Sequence, residues 1–229
     1  MKKVSLIVPL RNESPLLQRG LQDLESFIQK FPLQWELILV IDPSQDDTLE
    51  KARQLKSEKI NLQVLENAKQ LGRGPSVKKG LQAAQGDFAM VFPLDFTIPL
   101  ADLFQFLQEL VLHPEIDLAV GNRHTSRKKR EAPRRSPWHW TLENILAEKL
   151  RALPQQDPIC PYLVFQKKAL DQLLPELQLK AWFYTPEILQ KAREKNLRIS
   201  EVPVLSRDHR KSQIPLFKEY LRWFYSQPV

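Results

Sequence analysis

The first 120 residues alternate short, continuously apolar runs with longer segments whose apolar residues recur every three or four positions. Val4-Ser-Leu-Ile-Val-Pro9 and Glu36-Leu-Ile-Leu-Val-Ile41 are rich in β-branched residues, the pattern of strands covered on both faces. Further strands are predicted at Asn61–Leu65, Phe88–Phe92 and Asp117–Val120. Between them the spacing predicts helices. The first takes Ser14 as N-cap and Pro15 at its first position, with Leu17, Leu21, Leu24 and Ile28 on one face. The others run Thr48–Lys56, Pro75–Ala84 and Pro99–Leu112. This alternation predicts an α/β fold, a mostly parallel sheet with helices on both faces.

Beyond Gly121 the alternation ends. Segment 123–135 carries seven basic residues (Arg123, Arg127, Lys128, Lys129, Arg130, Arg134 and Arg135) against the single acid Glu131, close to the whole formal net charge of +7. The chain is thus a near-neutral body with one cationic segment. A helix is expected at Trp138–Leu150, a strand at Tyr162–Phe165, helices at Lys167–Leu174 and Pro186–Lys195, and a strand at Arg198–Val202. The tail Ile214–Tyr225 places Phe217, Tyr220, Leu221 and Phe224 at helical spacing.

Composition excludes several classes. An apolar share of 42% over 229 residues can build a core, which rules out a disordered chain. No run reaches the roughly 18 apolar residues of a membrane span, and the apolar start is too short for a signal peptide. The expected location is cytoplasmic, either soluble or peripheral on the inner face of the membrane. The single cysteine, Cys160, excludes an intrachain disulfide framework and a Cys-rich zinc site. With 6 Gly against 18 Pro, sites needing several flexible glycines are not expected.

In an open parallel sheet ligands bind beyond the carboxyl ends of the strands. The residues that follow the predicted strands are Pro9-Leu-Arg-Asn-Glu13, Asp42-Pro-Ser-Gln-Asp-Asp-Thr48, Pro93-Leu-Asp95 and Gly121-Asn-Arg123. Taken singly, such acids are helix caps and turn formers. Gathered on one rim, they suit a divalent cation and ribose hydroxyls. The coarse organisation is one domain over 1–229, with a nucleotide-binding half over 1–121 and an acceptor-side half over 122–229.

The motifs, in order, carry a resemblance. They are Asn12-Glu13, Asp42…Ser44-Gln-Asp46-Asp-Thr48, Leu71-Gly-Arg-Gly-Pro-Ser-Val-Lys-Lys-Gly80…Gly86-Asp-Phe88, Leu94-Asp95, Gly121-Asn-Arg-His124, Asp157-Pro-Ile-Cys-Pro-Tyr-Leu-Val-Phe165, Leu179-Lys-Ala-Trp-Phe-Tyr-Thr-Pro-Glu187 and Ile199-Ser-Glu-Val-Pro203. Together they resemble family 2 glycosyltransferases of the GT-A (Rossmann-like) fold, in the branch of dolichyl-phosphate glucosyltransferases and dolichyl-phosphate mannose synthases. The resemblance implies transfer of a sugar from UDP-glucose or GDP-mannose to a polyprenyl phosphate, with Mg²⁺ or Mn²⁺. It implies nucleotide contacts from Pro9, Asn12, Glu13, Asp42 and Arg73. Asp95 would hold the metal, and Asp95, Asp157 and Glu187 would serve catalysis. Arg123, Arg207, Arg210 and Ser212 would touch phosphates on the acceptor side.

This sequence also departs from the family pattern. An Asp-Ala-Asp motif reads Pro93-Leu94-Asp95 here, Pro43 and Pro161 stand at glycine positions, Pro75 occupies a small-residue position, and Thr185 stands where an acid is usual. Two readings follow: an active transferase, or a weak or inactive descendant that binds or regulates. The cationic segment with Trp138-His-Trp140 has the composition of an interfacial anchor. No nucleic-acid module appears, so nucleic acid is not an expected partner.

Overall fold

The computed structural model describes residues 1–92, 99–123, 153–180 and 184–205. Asp95, segment 124–135, the helix expected at Trp138–Leu150, Arg207, Arg210, Ser212 and the aromatic tail lie outside the described residues.

The strands are β1 (Lys3–Leu10), β2 (Gln34–Ile41), β3 (Asn61–Glu66), β4 (Phe88–Val91), β5 (Leu118–Asn122), β6 (Leu163–Gln166) and β7 (Ile199–Pro203). The helices are α1 (Leu17–Ile28), α2 (Thr48–Gln54), α3 (Arg73–Ala83), α4 (Leu100–Leu112), α5 (Lys167–Leu173) and α6 (Tyr184–Glu194). One seven-stranded sheet runs β3-β2-β1-β4-β6-β5-β7. It is parallel except for β6, which lies antiparallel between β4 and β5. Strands from both halves of the chain therefore share one sheet.

The central strands are covered on both faces, as their unbroken apolar runs require. Val4, Leu6, Ile7 and Val8 of β1 and Leu37–Ile41 of β2 are at most 1% exposed. Right-handed crossovers carry the chain from β1 outwards to β2 and β3, then from β3 back to β4, so α1 and α2 lie on one face and α3 on the other. The stripe foreseen on α1 is buried at Leu17, Leu21, Leu24 and Ile28. Just beyond α1, Phe31 stacks on Phe104 of α4 with ring centroids 4.1 Å apart. On the opposite face α3 sits close to the sheet. A Cβ on Gly80 would overlap the Ile7 Cγ2 methyl and come within 3.2 Å of Val40.

Local expectations are corrected in three places. Ser14 is not an N-cap: with Pro15 it opens a 3₁₀ turn, Ser14–Leu16, ahead of α1, and no side chain caps either helix. Its hydroxyl is drawn instead to Asp47 and to Lys51 Nζ, the latter at 2.7 Å. α2 stops at Gln54 rather than Lys56. α3 starts at Arg73, two residues before Pro75, which sits in the first turn where its missing N–H has no helical partner to lose.

At the end of the sheet remote from the strand carboxyl termini, Glu36 is only 4% exposed. Its carboxylate takes Lys3 Nζ at 2.5 Å, the Gln85 amide at 2.7 Å and the Ser5 hydroxyl. Burial pushes this carboxyl up, but the Lys3 ammonium, the Ser5 hydroxyl and the Gln85 amide outweigh it, and the group titrates below its ordinary value of 4.5.

Gly80→Ala is expected to lower stability by about 2 kcal/mol through overpacking against Ile7, read as a fall in the urea midpoint with an unchanged slope. The contribution of Glu36 is fully present above pH 4.5 and fades as pH falls through its lowered folded value. The stability gap between the wild type and Glu36→Gln should accordingly close on acidification, measured by denaturant titrations across that range.

Candidate active site

The strand order reverses about β1: the chain reaches β2 on one side and, later, β4 on the other. In an open sheet such a switch point is where a ligand crevice forms, beyond the carboxyl ends of the strands. The Ile7 carbonyl accepts from the Phe92 amide at 2.9 Å. Residues two apart face the same neighbour, so Pro9 turns its missing N–H towards β4 just past the last pair, Ile7 and Val91. Asn12 follows with φ 53°, a left-handed conformation that Asn tolerates better than most residues.

Beyond β1 the loop is tied to the one after β2. Asn12 Oδ1 accepts from the Gln45 amide at 2.8 Å, and its own amide donates to Ser44 Oγ at 3.1 Å. The Glu13 amide donates to Thr48 Oγ1 at 2.9 Å. Asp46 accepts from the amides of Ser14 and Thr48 at 3.2 and 3.1 Å. Burial works against the ionised form of Asp46, but the Thr48 hydroxyl and these two amides prevail and hold its carboxyl below the usual range. Pro9, Asn12, Glu13 and Asp42 are thus brought to one rim, at the carboxyl ends of β1 and β2.

Asp42 is the organising group on this side. Its carboxylate is 3% exposed. Oδ1 accepts from Asn67 Nδ2 at 2.6 Å and lies 3.1 Å from Ser76 Oγ, while Oδ2 accepts from the Gly72 amide at 2.8 Å. Gly72 has φ 93°, which glycine reaches without strain, and this lets its N–H turn back onto the acid as α3 begins. Both oxygens of Asp42 are engaged within the protein, and they hold the N-terminus of α3, with Arg73, against the ends of β2 and β3. Asn67 and Ser76 went unnoticed as partners in the sequence. For Asn67 the available signal was its place directly after the third strand.

The second cluster lies where β5 ends and β6 begins. Asp157, fully buried, receives Arg123 Nε at 2.6 Å, Arg123 Nη2 at 2.7 Å and the Arg123 amide at 3.0 Å. This bidentate pair fixes the root of the cationic segment. Although burial opposes its charge, Asp157 keeps the Arg123 guanidinium firmly protonated. The Asp157 carbonyl accepts from the Cys160 amide at 3.1 Å. Burial pushes the Cys160 thiol up to about 12, and nearby Asp157 adds to the effect against the pull of Arg123. Tyr184 donates to the Pro161 carbonyl at 2.7 Å, and Thr185 donates to the Cys160 carbonyl at 2.8 Å. The buried Tyr184 phenol is raised to about 12 by burial, against an opposing pull from Arg73 at the start of α3. Glu187, in the first turn of α6, accepts from the amides of Gln178 and Leu179.

A cavity of about 220 Å³ adjoins Asp42, lined also by Pro43, Ser44, Leu49 and Glu66. A larger concavity of about 920 Å³, lined by Arg53, Lys56, Lys59 and Leu62, opens where the α2–β3 connection enters β3, at the other end of the strands. Topology and chemistry favour the rim over the larger volume. Among the described residues no three His, Cys, Asp or Glu side chains gather to hold a metal ion.

A family model described as glycosyl transferase family 2 matches residues 5–174. Glycosyltransferase AglD of Haloferax volcanii is 27% identical over 206 residues, covering 88% of this chain and 32% of that protein. The dolichol-phosphate mannosyltransferase of Pyrococcus furiosus is 28% identical over 237 residues, covering 97% of this chain and 63% of that protein. The chain thus spans about a third and just under two thirds of these relatives. The crystal structure of glucosyl-3-phosphoglycerate synthase from Mycobacterium tuberculosis, in complex with Mn²⁺, UDP-glucose and phosphoglyceric acid, superposes with a TM-score of 0.70 at 17% identity. It covers 95% of this chain and 74% of that one, a likeness of fold.

Asp157→Asn is expected to cost about 3 kcal/mol, because the Arg123 guanidinium would stay in place without its counter-charge. Urea denaturation of the two proteins at neutral pH measures it.

Proposed function

The chain belongs to glycosyl transferase family 2, and from that premise we propose that it moves a hexose from a UDP- or GDP-sugar to a polyprenyl phosphate. The observation that carries this reading is the rim at the carboxyl ends of β1 and β2, where hydrogen bonds gather Asn12, Glu13 and Asp42 and α3 starts at Arg73 beside them. That rim suits the nucleoside, and a helix N-terminus with an arginine suits the diphosphate. Arg123, Arg207, Arg210 and Ser212 would contact phosphates on the acceptor side. The lipid-phosphate acceptor is supported by the Pyrococcus relative's name.

The chemistry is a single displacement. An acceptor phosphate oxygen attacks the anomeric carbon, the bond to the nucleoside diphosphate breaks, and the diphosphate departs with the electron pair. A phosphate is already ionised at neutral pH, so the step needs no strong base. It is consistent with a site in which Asp42, Asp157 and Glu187 each engage both oxygens within the protein. A divalent ion held through Asp95 would supply charge stabilisation to the leaving diphosphate. Among the described residues no helix is long and apolar enough to cross a membrane, and we assign membrane contact to basic segment 123–135.

The same commitment of the three carboxylates also favours a second reading, a catalytically silent binding protein. The two part on a direct assay. With UDP-glucose or GDP-mannose, a short polyprenyl phosphate and Mn²⁺, a lipid-linked sugar is expected. Asp95→Ala should lower kcat at least 100-fold, equivalent to about 2.7 kcal/mol of transition-state stabilisation. Nucleotide binding by calorimetry without transfer would establish the silent reading, and no binding of UDP or GDP at millimolar concentration would defeat both.

A further inference from the structure

Between α5 and α6 the chain makes a turn at Leu177, Gln178 and Leu179. Leu177 and Leu179 are fully buried, and Leu179 adopts φ 49° without being glycine, so something outside the turn must hold this backbone in place. That group is Glu187. Its Oε1 accepts from the Gln178 and Leu179 amides, the latter at 3.1 Å, and its Oε2 lies 3.0 Å from the Leu179 nitrogen. The turn in turn offers the Leu177 carbonyl to Lys78 Nζ of α3 at 2.5 Å, across 99 residues of sequence. The opposite end of this route is fixed as well, since the Gly72 amide ahead of α3 is bound by Asp42.

We propose that Glu187 is a positioning residue. It shapes the 177–179 turn into the seat for Lys78 and so sets α3, with Arg73 at its head, in register with the acceptor-side cluster around Tyr184. The proposal rests on the transferase reading and deepens it. It reassigns the one carboxylate of α6's first turn from proton chemistry to geometry. A general base must take up a proton on the oxygen facing its substrate. Both oxygens of Glu187 are instead engaged by the backbone amides of the turn.

Two substitutions separate the roles. Glu187→Gln keeps an Oε1 acceptor for the amides but cannot act as a base, whereas Glu187→Ala removes both functions. The expected outcome is kcat within about tenfold of wild type for Glu187→Gln with an unchanged pH profile, and a loss of about 100-fold for Glu187→Ala with weakened UDP or GDP binding. Amide hydrogen exchange at Gln178 and Leu179 should be protected in the wild type, largely protected in Glu187→Gln and about 100-fold faster in Glu187→Ala. Lys78→Met should lower kcat about tenfold while those two amides stay protected. A Glu187→Gln protein as impaired as Glu187→Ala, with a flattened pH profile, would make Glu187 a base and overturn the proposal. So would unchanged exchange in Glu187→Ala. If the wild type transfers no sugar, the transferase reading fails, and the exchange measurement still decides whether Glu187 holds the turn.

Discussion

The chain leaves the neighbourhood of β1 in two directions, outwards through α1 to β2 and β3, then back across the sheet through α3 to β4. Because both crossovers are right-handed, α1 and α3 lie on opposite faces of the sheet, and the switch point between β1 and β4 is where such a fold opens a gap beyond the carboxyl ends. The first half of the molecule follows from that reversal. Pro9 ends the pairing between β1 and β4 where the gap starts. The close approach of α3 at Gly80 brings that helix down across β1 and β2, so that its N-terminus meets the rim.

The rim is held by charge placed inside the protein. Asp42 and Asp157 are almost completely buried, and an isolated carboxylate in such a place would be neutralised or expelled. Each is met by donors held in place around it: the Gly72 amide and the Asn67 side chain for Asp42, and a guanidinium for Asp157. These acids work as struts. They hold backbone ends in place, and the surfaces so held carry the chemistry proposed for the crevice.

How much of this could be read in the sequence depends on distance along the chain. The strands, the α1 stripe and the rim location were legible, because two-sided burial leaves unbroken apolar runs and the 3.6-residue period is local. The insertion of β6 between β4 and β5 was not, since strand order is settled by packing after the elements exist. Ser14 has the residue type of a cap, yet Asp47 and Lys51, brought over from α2, compete for its hydroxyl. The pairing of Arg123 with Asp157 spans 34 residues, and that of Glu187 with Leu179 depends on a left-handed backbone at a leucine. Neither leaves a signature in spacing. Asp95 and the tail arginines rest on resemblance alone.

The chain's one sulfhydryl has a use of its own. Cys160 is fully buried, its thiol lies far on the protonated side at neutral pH, and it sits where β6 begins, between the Asp157 strut and Tyr184. An alkylating reagent can reach it only when that corner breathes. With no second thiol to confuse the reading, the pace of its modification becomes an internal clock for opening events at the acceptor-side corner, in a protein that needs no engineered probe.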